Sequence, residues 1–72
     1  MNKIIYLNGN KLEIDLSKCS NLSDLIDKFY LKFKNKNIAV AVNMKIVTKS
    51  EWNTYRLEKN DKIEIVVPFP GG

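Results

Sequence analysis

The sequence predicts an α+β domain in which one main helix packs across a mixed sheet of four to five strands. Three observations lead to this prediction: an Asn-Gly turn between two apolar-rich segments, one apolar stripe at helical spacing, and later segments of strand length. The 72 residues make one domain, near the lower size at which a single core suffices. We expect residues 1–67 to form the domain and residues 68–72 an extended, flexible C-terminal tail.

The chain is predicted to open with a β-hairpin. Residues 3–7 and 11–16 are apolar-rich and are joined by Asn8-Gly9-Asn10, and Asn-Gly is the strongest short-range signal for a hairpin. In the second segment the apolar residues Leu12, Ile14 and Leu16 alternate with charged ones. This alternation indicates a strand with one buried face.

A helix is predicted to cover that face. The apolar residues at intervals of three and four are Leu22, Leu25, Ile26, Phe29, Tyr30 and Phe33. Asn21 is a suitable N-cap, and Asp24 lies where the helix dipole favours a negative charge. We expect the whole stripe to pack under the sheet and the helix to end at residues 35–37.

The remaining segments predict three strands and two turns. Residues 38–42 form a continuous apolar run, typical of a central strand buried on both faces. A short strand at residues 46–47 follows, and then a turn over residues 48–52 that Thr48 or Ser50 caps. Asn60 can take a positive φ in the next turn, and residues 62–67 alternate as a last strand.

The order of these elements is that of the β-grasp, or ubiquitin-like, fold. A hairpin, a crossing helix, a central strand, a short strand and a final strand follow one another. In that arrangement the last strand lies inside the sheet. Its end therefore directs the following residues away from a rigid body.

Those following residues are Pro68-Phe69-Pro70-Gly71-Gly72, and we predict that the chemistry takes place there. The prolines hinder strand pairing. Gly71 has no Cβ and can thread a narrow channel, which makes the carboxylate of Gly72 the candidate reactive group. Phe69 has little core to join, and together with Pro68 and Pro70 it is a candidate docking contact for a partner.

Several segments carry a resemblance to a known family. They are residues 40–47, Ser50-Glu51-Trp52, residues 57–61, residues 63–66 and Gly71-Gly72. In order and spacing they resemble the sulfur-carrier proteins of thiamine biosynthesis, the ThiS family, which are relatives of the small subunit of molybdopterin synthase. The resemblance covers the C-terminal half. Thr48 and Lys49 stand where the family usually has Pro-Arg, and Asn60 where it favours glycine.

The resemblance implies that the Gly72 carboxylate receives AMP from ATP and is then converted to a thiocarboxylate, the sulfur donor for the thiazole ring of thiamine. The implied partners are an E1-like adenylyltransferase, a persulfide sulfur donor and a thiazole synthase. The chain has no glycine-rich phosphate loop, so the nucleotide must be held by the partner. We expect a protein co-substrate with no bound cofactor, no catalytic residue and no metal site.

Composition argues against other classes. The net charge is +4, but the basic residues are lysines apart from Arg56, and no aromatic stacking motif accompanies them. We expect no nucleic-acid or membrane partner and a cytoplasmic location. Cys19 is the only cysteine, so no internal disulfide is possible. Its place before the helix could lower the pKa of the thiol, yet a lone loop cysteine is usually incidental.

Two alternatives stay open. The molybdopterin branch shares the fold, the tail and the activation, and differs in the acceptor of the sulfur. A ubiquitin-like interaction module would have a tail that is never activated, and it would tolerate residues added after Gly72. Trp52 also has two interpretations: it either anchors its turn to the sheet or contacts a partner.

Overall fold

The computed structural model describes residues 2–33 and 36–67. Within them the strands are β1 (Asn2–Leu7), β2 (Asn10–Asp15), β3 (Ala39–Val42), β4 (Lys45–Val47) and β5 (Lys62–Val66). The helix α1 spans Leu22–Phe29, and short 3-10 turns span Leu31–Phe33 and Lys49–Glu51. The predicted tail, residues 68–72, lies outside the described residues, so the division into domain and tail stays a prediction.

The strands form one mixed sheet in the order β2-β1-β5-β3-β4. β1 and β5 are parallel, while the other neighbouring pairs are antiparallel. The last strand therefore lies inside the sheet, as predicted for a β-grasp fold.

The opening hairpin also follows the sequence. Asn8 and Gly9 both have positive φ, 50° and 83°, which is the backbone of the two-residue turn that matches the twist of paired strands. β1 and β2 pair from Asn2 with Asp15 to Leu7 with Asn10. The alternation in β2 puts Ile14 in the core.

The core lies between α1 and one face of the sheet. Its most deeply buried side chains are Ile5, Cys19, Leu22, Leu25, Ile26, Val40, Val42 and Ile63. Asn21 caps α1 as predicted: its side-chain oxygen accepts a hydrogen bond of 2.8 Å from the N–H of Asp24.

The helix is shorter than its apolar stripe suggests. It ends at Phe29, where the N–H of Tyr30 donates to the carbonyl of Ile26 at 2.7 Å. Phe29 is 42% exposed, and Phe33 is half-buried in the following 3-10 turn. The expectation that the whole stripe packs under the sheet was therefore wrong: Tyr30 packs against the core, but α1 ends at Phe29, and neither Phe29 nor Phe33 is fully buried.

The apolar run before β4 is buried on one face rather than both. Val40 and Val42 point into the core, but Ala39 is exposed and Ala41 is half-buried. Methyl side chains can lie on an open face because they expose little apolar area. β3 is thus an interior strand of a sheet that has a single covered face.

The turn over residues 48–52, with Thr48 at its N-cap position, and the positive φ of Asn60 are both as predicted. Trp52 is 4% exposed, and its ring N–H donates to the carbonyl of Val47 at 3.1 Å, so it anchors its turn to β4. The side chain of Glu51 accepts hydrogen bonds from the backbone N–H and the hydroxyl of Thr48, which closes that turn. Asn60 has a φ of 67°.

No helix within the described residues is long and apolar enough to cross a membrane.

Candidate functional site

β5 is the element that leads to the predicted reactive end of the chain. The described residues end at Val67, one position beyond β5. Pro68, Phe69, Pro70, Gly71 and Gly72 lie outside them, and their roles stay predictions. The structure shows which contacts hold β5, the strand that precedes that segment.

The start of β5 is fixed by a buried carboxylate. Asp61 is 7% exposed. It accepts hydrogen bonds from the side-chain amide of Asn43 at 3.0 Å and from the N–H of Glu58 at 2.9 Å. The side-chain oxygen of Asn43 accepts a hydrogen bond of 3.0 Å from the N–H of Lys62. The β3–β4 turn and the first residue of β5 are thereby joined.

The end of β5 is held by the side chain of Asn8. The N–H of Ile65 donates to the Asn8 side-chain oxygen at 2.8 Å, and the Asn8 amide nitrogen donates to the carbonyl of Ile65 at 3.3 Å. The same nitrogen donates to the hydroxyl of Tyr30 at 2.8 Å. A residue of the first turn therefore contacts both the last strand and the residue that follows α1.

Apolar residues line part of the sheet face opposite α1. Ile46 and Val66 are 71% and 62% exposed, and they are paired with the small residues Ala41 and Ala39 of β3. Met44, at the β3–β4 turn, is 91% exposed. We call Ala39, Ala41, Ile46 and Val66 the outer strip. Exposed apolar residues grouped on one face are typical of an interaction surface.

Cys19 lies on the other side of the sheet, in the core. It is 2% exposed, and burial raises the pKa of its thiol, with a smaller contribution from the charge of Asp24. The sequence had suggested a setting that could lower this pKa. A buried thiol with a raised pKa is a poor nucleophile, so the structure favours the interpretation of Cys19 as a core residue.

The described residues offer few other groups for chemistry. Among residues 2–33 and 36–67, no three His, Cys, Asp or Glu side chains are grouped so that they could hold a metal ion. An open cleft lies where β1 and β5 diverge, and Tyr6, Asn8, Lys62 and Glu64 are among the residues that line it. Its walls are strand backbone and exposed side chains, which suits contact with a partner better than enclosure of a substrate.

Three of these features were not predicted from the sequence: the contact of Asn8 with β5, the hydrogen bond of Asn43 to Asp61, and the outer strip. A signal for the strip exists in the sequence. Val66 is apolar at a position where the alternation of β5 calls for a polar residue, as Lys62 and Glu64 illustrate. The two asparagine contacts have no such local signal.

Comparison with known proteins identifies a family whose model matches this chain. A family model described as the ThiS family matches residues 2–72. The matched range includes the whole sheet and the final Gly71-Gly72.

A relative and a solved structure are similar to the chain over nearly all of its length. A protein of Trieres chinensis named "Uncharacterized protein ycf40" is 33% identical over 70 residues, which cover 97% of this chain and 90% of that protein. The crystal structure of a thiamine biosynthesis protein (ThiS) from Geobacter metallireducens superposes with a TM-score of 0.72 at 20% identity and covers 100% of both chains. At that identity the superposition confirms the β-grasp fold.

Proposed function

The chain belongs to the ThiS family, and on that premise we propose that it is a sulfur-carrier protein of thiamine biosynthesis that carries sulfur on the carboxylate of Gly72. The observation that carries the proposal is the family match over residues 2–72, which extends to Gly71-Gly72. The fold supports it, because β5 lies between β1 and β3. An interior strand gives the tail a rigid base.

The proposed chemistry has three steps. A carboxylate is a poor electrophile, so an oxygen of Gly72 first attacks the α-phosphate of ATP, pyrophosphate leaves, and an acyl adenylate forms. The terminal sulfur of a persulfide then attacks the carbonyl carbon and AMP leaves, which gives an acyl disulfide. A thiol finally attacks the other sulfur, the one that belongs to the sulfur donor, so that a new disulfide forms there and the Gly72 thiocarboxylate leaves.

This protein supplies the reacting carboxylate and the surface that presents it. The ATP site and the groups that promote the displacement belong to an E1-like adenylyltransferase, and a thiazole synthase takes up the sulfur. The chain is thus a co-substrate rather than an enzyme. The use of ATP fits the cytoplasmic location expected from the sequence.

The outer strip is the surface on which we expect the adenylyltransferase to dock. Five fully extended residues span at most about 17 Å, so a partner that holds Gly72 in its site must also contact the body near the end of β5. Val66 belongs to that end and to the outer strip. An apolar centre with Lys62 and Glu64 beside it on β5 has the character of a specific protein interface.

Intact-mass measurement tests the proposal. The protein is incubated with its cognate adenylyltransferase, ATP and a persulfide source, and the expected mass change is one oxygen exchanged for sulfur at Gly72. The thiolated protein is then supplied to a thiazole synthase and, separately, to the large subunit of molybdopterin synthase with its substrate. Transfer to the first supports the thiamine branch. Transfer to the second alone assigns the other branch, and failure of adenylation would leave only the passive module.

A further inference from the structure

The pairing of β5 is incomplete on the side of β1. Tyr6 pairs with Lys62 and Leu7 with Ile63, and β1 then ends at Leu7 while β5 continues to Val66. A strand that outruns its neighbour leaves backbone N–H and carbonyl groups without a ladder partner. These groups belong to the residues immediately before the proposed tail.

Asn8 supplies the missing pairing with its side chain. Its backbone N–H still donates to the carbonyl of Ile63 at 2.8 Å. Beyond that point its carboxamide accepts from the N–H of Ile65 at 2.8 Å and donates to the carbonyl of Ile65 at 3.3 Å. One side-chain amide thus bonds to both backbone groups of Ile65, as a residue of a neighbouring strand would.

The backbone angle of Asn8 and one further hydrogen bond favour this orientation of the carboxamide. The φ of 50° at Asn8 is part of the hairpin turn, and asparagine tolerates that region better than most residues. The amide nitrogen also donates to the hydroxyl of Tyr30 at 2.8 Å. The hairpin turn, the residue after α1 and β5 therefore all favour the same position of the Asn8 side chain.

We propose that Asn8 is a positioning residue for the reactive tail: by holding Ile65, it fixes the direction in which the chain leaves the sheet through Val66 and Val67. This inference rests on the proposed function, because a direction matters only if Gly72 must enter a partner's site. A body docked on the outer strip then starts the tail in the direction of the partner's site. Without the Asn8 carboxamide, the body still docks but the tail enters less often in a reactive pose.

The test compares three single variants with the wild-type protein. Asn8→Gly removes the carboxamide and keeps the backbone, since glycine adopts positive φ readily. Asn8→Asp keeps an acceptor for the N–H of Ile65 and should therefore lose less activity than Asn8→Gly. Asn10→Ala is the matched control, because Asn10 is an exposed residue of the same hairpin.

Two measurements are made on each protein. In Asn8→Gly, hydrogen exchange at the Ile65 amide should accelerate by up to about tenfold, the equivalent of one lost hydrogen bond. In adenylation by the cognate enzyme, kcat should fall about ten- to a hundredfold, as expected for a misdirected reactive group, with little change in KM. Asn8→Asp should lie between, and Asn10→Ala should match wild type in both measurements.

The outcomes separate this inference from the function on which it rests. If wild type is not adenylated, the proposed function is wrong and the positioning role is lost with it. If wild type is adenylated and Asn8→Gly has the same kcat, the tail needs no positioning by Asn8. A lower denaturation midpoint with unchanged kcat at a temperature where the variant is folded would assign Asn8 to stability alone, which also overturns the inference.

Discussion

The side-chain amide of Asn43 donates a hydrogen bond of 3.0 Å to the buried carboxylate of Asp61. The second carboxylate oxygen accepts from the N–H of Glu58 at 2.9 Å. Asp61→Ala leaves both donors without this acceptor, and we expect the free energy of unfolding to fall by about 2–3 kcal/mol. Urea denaturation measures the change. Glu64→Ala, an exposed position in β5, should change it by no more than about 0.5 kcal/mol, and equal effects would contradict the anchoring role of Asp61.

Phe29 and Ile26 differ in burial although both lie on the apolar stripe of α1. Ile26 is fully buried, whereas Phe29 is 42% exposed. Ile26→Ala should therefore cost about 2–5 kcal/mol of stability, and Phe29→Ala no more than about 1.5 kcal/mol. The denaturant midpoints of the two variants, with Lys32→Ala as the surface reference, measure these two losses of stability. A larger loss at Phe29 than at Ile26 would restore the original expectation that the whole stripe is buried.

The width of the tail should matter for activation. Gly71→Val adds a branched Cβ and removes access to positive φ, so we expect thiolation of Gly72 to fall below detection by intact mass. Stability should be unchanged, because Gly71 follows the last strand in the sequence. A protein lacking Gly72 serves as the negative control. If Gly71→Val is thiolated as fast as wild type, the tail does not thread a narrow channel.

The outer strip should set the affinity for the adenylyltransferase. Ile46→Asp puts a charge into the strip, and we expect KM to rise about sixfold or more, which corresponds to roughly 1 kcal/mol of binding. Leu31→Asp is the matched control, since Leu31 is also an exposed apolar residue, at 65% against 71% for Ile46. If the two changes raise KM equally, the strip is not the docking surface.

Cys19 should be inert in the folded protein and should make stability depend on alkaline pH. Burial raises the pKa of its thiol above the usual value of 9.0. The unfolded chain therefore loses this proton first, and stability falls as pH rises from 9.0 toward the higher pKa of the folded state. Denaturation midpoints measured across this range should fall more steeply in wild type than in Cys19→Ala. Equal slopes would contradict a buried neutral thiol, and Cys19→Ala should still accept sulfur at Gly72.

Local patterns predicted the elements that depend on neighbouring residues. The Asn8-Gly9 turn, the Asn21 cap and the positive φ of Asn60 follow from the conformational preferences of single residues, and the structure has all three. The place of β5 inside the sheet followed from the order of the elements. Such predictions succeed because the cause and the effect lie within a few residues, or within one known arrangement.

The errors arose where burial depends on distant parts of the chain. A stripe at helical spacing indicates which side of a helix is apolar, but not where the helix ends, so Phe29 and Phe33 were placed in the core. The outward positions of β3 were taken as buried because alanines do not show whether a second layer covers them. Asn8 and Ile65 are 57 residues apart, and no pattern in either segment predicts that one bonds to the other.

The parallel pairing of β1 with β5 has a consequence for the time at which the protein becomes competent during its synthesis. The ribosome makes Tyr6 and Leu7 well before their partners Lys62 and Ile63, because the two segments lie far apart in the sequence. Contacts between such distant segments require closure of a long loop and are among the slower ones to form. Under the proposed function the Gly72 carboxylate therefore exists before β5 has joined β1, and we expect its efficient activation to wait for that pairing.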